Sequence, residues 1–145
     1  MHMHVKQISV FIENAPGKLA DFTRMLGEKG IDLMSLSIAD TTNFGILRFI
    51  VADYADAVKQ IEEAGYAVSL TDVLAVEVPD RPGGLAEMLR LLGENDISIE
   101  YLYSFVRGRQ GSALIVFRVA DVEKAMRVLE DGGIQTLTQE EIKKL

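Results

Sequence analysis

Asn14-Ala15-Pro16-Gly17-Lys18-Leu19-Ala20 is answered 66 residues later by Asp80-Arg81-Pro82-Gly83-Gly84-Leu85-Ala86. The match runs on outward. Met25-Leu26-Gly27-Glu28-Lys29-Gly30-Ile31 lies over Leu91-Leu92-Gly93-Glu94-Asn95-Asp96-Ile97, and 10 of the 26 positions from Ile8 to Leu33 equal their partners. Past the middle the offset becomes 68, setting Val51-Ala52-Asp53 on Val119-Ala120-Asp121. The two extra residues fall near Gly108-Arg109-Gln110-Gly111, a hairpin tip, where insertion disturbs least. The chain is one unit written twice. All three prolines, Pro16, Pro79 and Pro82, sit in the matched loops and interrupt no apolar segment.

Inside the first copy the hydrophobic period alternates between two and about 3.6. Ile8 to Ile12 is β-branched and aromatic, hence a strand. Pro16-Gly17 opens a helix with Leu19, Phe22, Met25 and Leu26 on one face, and Gly30 ends it. Leu33–Ala39 and Gly45–Val51 read as strands joined by a turn at Asp40-Thr41-Thr42-Asn43. Asp53 starts a second helix carrying Ala57, Val58 and Ile61, which Gly65 closes, and Ala67–Leu70 is a last strand. The second copy predicts strand 73–78, helix 83–95, strands 98–106 and 112–119, helix 121–131 and strand 134–137. Strand–helix–strand twice per copy is the α+β, ferredoxin-like βαββαβ arrangement, an antiparallel sheet with both helices on one face. The expected domains are 1–70 and 71–138, joined by the short Leu70-Thr71-Asp72-Val73 connection. Residues 139–145 form a tail. Thr138-Gln139-Glu140-Glu141 reads as a capping box there, with Leu137 and Ile142 as a hydrophobic staple.

Composition narrows the chemistry. The 145 residues carry a net charge of −7, the wrong sign for coating phosphates. The absence of cysteine removes disulfides, thiolate nucleophiles and Cys-ligated metals. Met1 to Lys6 lacks the pattern of a secretion signal, and no apolar run approaches the roughly 20 residues that span a bilayer, so the expected location is cytoplasmic. The only histidines, His2 and His4, lie in a terminus expected to fray. That leaves no general base for a serine and no metal site, and a pairing of Glu13 with Glu100 is the one weak catalytic option. The expectation is no enzyme, no cofactor, no membrane and no nucleic acid.

In each loop a polar side chain, Asn14 or Asp80, precedes Pro-Gly at a strand-to-helix turn. Proline is expected to preset the first helical turn. Glycine admits close approach, and the helix N-terminus suits a carboxylate. Taken together, these segments and the following Gly30-Ile31-Asp32-Leu33 and Asp96-Ile97-Ser98-Ile99 resemble the signature of ACT domains, here two covering nearly the whole chain. The resemblance implies a regulatory protein that senses a free amino acid. The ligand sits at the boundary between paired domains, against the first loop and the start of the second strand. Carried over, the ligand-binding positions are Asn14, Ala15, Pro16, Gly17, Lys18, Leu19 and Asp32 in the first repeat. In the second they are Asp80, Arg81, Pro82, Gly83, Gly84, Leu85 and Ser98.

The copies differ at these positions. Asn14 donates and accepts, whereas ionised Asp80 only accepts. Asn14 with Asp32 is expected to hold the two ends of an amino acid, while Arg81 adds a cation and Gly84 leaves room in the second loop. With Leu36 and Ile38 toward the helices, Ser35, Ser37 and Ala39 line the other face, and their equivalents are Tyr101, Tyr103 and Phe105. That aromatic surface is either a homodimer interface or a wall for an apolar or aromatic ligand side chain. The alternative to a sensor is a ligand-free module that oligomerises or acts on a metabolic enzyme partner.

Overall fold

The computed structural model describes residues 4–40, 44–106 and 108–145. His2 and the turn positions 41–43 lie outside them. The order of elements is β1 (Val5–Glu13), α1 (Lys18–Glu28), β2 (Ser35–Asp40), β3 (Phe44–Ile50), α2 (Tyr54–Glu63), β4 (Val68–Pro79), α3 (Gly84–Glu94), β5 (Tyr101–Ser104), β6 (Ser112–Arg118), α4 (Val122–Asp131) and α5 (Gln139–Lys143). Two compact units divide between Thr71 and Asp72, with His4 and Val5 grouped with the second. In the first unit the strands run β2-β3-β1, and in the second β4-β6-β5, all these neighbours antiparallel.

The duplication is legible in the cores position by position. Ile8, Val10, Ile12, Phe22, Leu26, Leu47, Phe49, Val51, Ala57 and Ile61 form the first core. Leu74, Val76, Val78, Met88, Leu92, Ile115, Phe117, Val119, Ala125 and Leu129 form the second, each the repeat partner of its counterpart. Alternate strand residues and the apolar stripes of two helices thus meet on one face of each sheet. Phe22 meets Tyr66 edge-on at 4.8 Å and Phe49 at 6.0 Å. The second core has Met88 and Ile134 where the first has Phe22 and Tyr66.

Several boundaries differ from the sequence reading. The expected connection Leu70–Val73 is no turn: β4 runs through it, since Thr71 and Val73 are β-branched and no Gly or Pro interrupts. The strand expected at 134–137 contracts to one bridge, Val76 to Thr136, flanked by Glu77 N–H to Gln135 O (3.2 Å) and Leu137 N–H to Ala75 O (2.8 Å). The chain then turns directly into α5, where Thr138 and Glu141 form the expected capping box and Leu137 and Ile142 are both buried. His4 does not fray. Its side chain is 10% exposed and its Nε2 lies 3.5 Å from Asp72 Oδ1. Leu36 and Ile38 do face the helix side, paired with Phe49 and Leu47, yet remain 40% and 52% exposed because β2 is the edge beyond the helices.

Candidate functional site

Each Pro-Gly loop is a type II turn that stands before its helix. Lys18 N–H donates to Ala15 O (3.2 Å) and Gly84 N–H to Arg81 O (3.0 Å). Pro16 and Pro82 take the second position, and Gly17 (φ 85°) and Gly83 (φ 86°) the third, where positive φ is required. This corrects the expectation that proline lies in the first helical turn. Gly17 and Gly83 then serve as N-caps and have no side chain to offer the first amides of α1 and α3. The other three helices are capped: Asp53 accepts from Asp56 N–H, Asp121 from Lys124 N–H and Thr138 from Glu141 N–H. Both loops therefore leave a helix N-terminus open to a bound acceptor.

Beyond that shared frame the loops diverge. In the first, Asn14 Nδ2 donates to Asp40 Oδ1 at 2.8 Å, and Lys18 Nζ lies 3.8 Å from Glu13 Oε2. In the second, Asp80 N–H donates to Gly111 O (3.1 Å), and the Arg81 guanidinium is 3.7 Å from Glu87 Oε1. The expected room at Gly84 is not there: a Cβ on it would stand 2.1 Å from Pro79 O. Where the first repeat has Phe11 and Phe44, the second has Glu77 and Ser112, bonded at 2.8 Å, with Arg109 also on Glu77 at 3.0 Å. Asp40 was missed in the sequence because it reads as a turn residue. Only the register, which sets it opposite Gly45 at the loop end of the sheet, brings it to Asn14.

Asn14 and Asp32 are not brought together within one repeat. Asn14 follows Glu13, opposite Phe44 at the start of β3, whereas Asp32 precedes Ser35, opposite Ile50 at its end. A strand of that length separates them by about 20 Å. Asp80 and Ser98 are divided by β6 in the same way. A cavity of about 470 Å³ near the second loop is lined by Glu77, Pro79, Glu87, Gly111 and Ser112 among others. Ser98 lines a different one of about 340 Å³ with Asp96, Glu100 and Lys124. Glu13 and Glu100 each face a cation of their own repeat, Lys18 and Arg118 (4.0 Å). Tyr101 and Tyr103 stack at 6.5 Å and are half-buried, while Phe105 is only 8% exposed. Among the described residues no group of acidic or histidine side chains is arranged to hold a metal, and no helix is long and apolar enough to cross a membrane.

A family model described as an ACT domain pair matches residues 3–145. The chain belongs to that family. This ACT domain pair is similar to protein BT0572 from Bacteroides thetaiotaomicron, with 36% identity over 99% of this chain and 98% of that one, at a TM-score of 0.90. It shares its fold with the regulatory subunit of aspartate kinase from Thermus thermophilus (19% identity, 88% and 91% covered, TM-score 0.64). The same holds for the allosteric aspartate kinase of Clostridium acetobutylicum (16% identity, 88% of this chain and 33% of that one, TM-score 0.53). No curated protein gives a significant match.

Proposed function

We propose that this ACT domain pair is a regulatory, non-catalytic protein that senses a free amino acid through the loop at Asn14–Leu19. The observation that carries this reading is the pair of uncapped helix N-termini, where the other three helices among the described residues are all side-chain capped. An α-carboxylate placed beyond Gly17 would accept from the amides of Leu19 and Ala20, with the helix dipole in its favour. Lys18, on the same turn, adds a cation that the second loop replaces with Gly84. Ala15 and Pro16 set the turn. Asp80, Arg81, Pro82, Gly83 and Leu85 make the second loop a weaker candidate, since its Asp80 only accepts and its backbone is bonded to Gly111.

Because loop and strand start lie at opposite ends of a repeat, Asp32 or Ser98 would touch such a ligand only together with a loop from another copy. The regulatory and allosteric roles named for the aspartate kinases support an output to a metabolic enzyme partner. Thermal denaturation of the full chain with each of the twenty amino acids tests the reading. A ligand at 100 times its Kd raises stability by about 2.7 kcal/mol. Absence of a shift with every amino acid at millimolar concentration overturns it.

A second reading, an interaction module without a small ligand, is favoured by apolar surface at the β5 edge. Leu102 and Val106 are exposed there, beside the stacked Tyr101 and Tyr103. We place a homodimer contact at this edge. Phe105, already only 8% exposed, would contribute through folding instead.

A further inference from the structure

Asn14 and Asp40 form a hydrogen-bonded pair that the first repeat has and the second lacks. Gly45 is paired with Ile12 on one side and Asp40 on the other. The Asn14 amide reaches across the end of the sheet to Asp40 Oδ1, at 2.8 Å, while the space a Cβ on Gly45 would take is met by the Ile38 side chain, 3.0 Å away. The corresponding positions in the second repeat are Asp80, Ala113 and Val106. Val106, in the place of Asp40, is 65% exposed and has no acceptor on its side chain. Two carboxylates without an amide, or an amide without a carboxylate, would not make the same arrangement.

Donation from Asn14 Nδ2 to a carboxylate fixes which way the amide points. An ionised carboxylate only accepts, so the nitrogen must face Asp40 and Oδ1 must face away from it. The loop then presents one amide oxygen backed by one full negative charge, next to the open N-terminus of α1. That is an acceptor for a cationic donor beside donors for an anion. It complements the ammonium and carboxylate of an amino acid; the hydroxyl of a 2-hydroxy acid can donate to the same oxygen but brings no positive charge to meet Asp40.

We infer that Asp40 is the specificity-determining residue of the first loop, orienting Asn14 and supplying the charge that selects an α-ammonium. The inference rests on the amino-acid-sensing reading above and names the chemical class that the loop accepts. Its test is calorimetry on the full chain with the twenty amino acids, followed by the 2-hydroxy acid that corresponds to the tightest of them. The same titrations are made on Asp40→Asn, which removes the charge and keeps the shape, and on Asp40→Ala. A hydrogen bond to a charged group is worth about 10- to 100-fold in affinity, so both variants weaken the amino acid by that factor and leave the hydroxy acid nearly unchanged.

Asp40 is exposed, so both variants keep the parent's unfolding midpoint, and Asp40→Asn alone decides the matter if Asp40→Ala does not fold. Tight binding of an amino acid by the parent, with the same preference over its hydroxy acid in Asp40→Asn, overturns the role of Asp40 and leaves the sensing reading standing. No binding of any amino acid by the parent overturns both.

Discussion

At the scale of single residues, the loop glycines Gly17 and Gly84 answer to different constraints. Gly17 needs its conformation: its φ is 85°, and a Cβ there would meet nothing within 4 Å. Gly84 needs its size, because Pro79 O occupies the space a side chain would take. Gly17→Ala should therefore cost about 1–2 kcal/mol, the price of one left-handed residue. Gly84→Ala should cost about 3 kcal/mol or more, since backbone must move. Urea denaturation of both variants checks the order, and an equal loss would show that Pro79 yields easily. The sequence displayed all three glycines of the loops but not this division, which depends on how closely the second loop folds back on the end of β4. Asp40 was hidden for a similar reason. Its chemistry depends on a partner 26 positions away that only the strand register supplies.

Elements were more legible than residues, because each helix and strand is specified by its own period and stops. The core residues of both repeats follow the 2 and 3.6 spacings, so burial could be read before any pairing was known. Ends were harder. β4 passes through the expected link because strand propensity continues across the repeat junction, and the last strand contracts because α5 begins three residues after Thr136. Helix ends illustrate the point quantitatively. Ile31 N–H to Leu26 O (2.9 Å) and Gly30 N–H to Gly27 O (3.1 Å) close α1 around a left-handed Gly30, the Schellman pattern. In α3 the same bonds run from Ile97 to Leu92 (2.9 Å) and from Asp96 to Gly93 (3.2 Å), with Asp96 at φ 57°. Asp96→Gly should stabilise the chain by about 0.5 kcal/mol, relief of the left-handed strain being partly offset by a more flexible unfolded chain. A loss of stability on thermal unfolding would mean that the Asp96 side chain contributes more than its backbone costs.

For the whole chain, the duplication has separated fold from function. Core positions stay apolar in both copies, while the loop ends carry Asn14, Lys18 and Asp40 in one and Asp80, Gly84 and Val106 in the other. On the proposed reading one preferred ligand per chain is expected, held by the first repeat. The apolar β5 edge bears on assembly, where Leu102→Lys combined with Tyr103→Lys should shift a sedimenting dimer to monomer without changing amino-acid binding to the first loop. Persistence of the dimer would move the contact elsewhere. The central claim is that the first loop recognises an amino acid. Calorimetric titration of the parent and of Asn14→Ala with the amino acid that gives the largest thermal shift tests it most directly. The account predicts one site per chain in the parent and a loss of about tenfold or more in Asn14→Ala, as for a hydrogen bond to a charged group. Unchanged affinity in Asn14→Ala would contradict it.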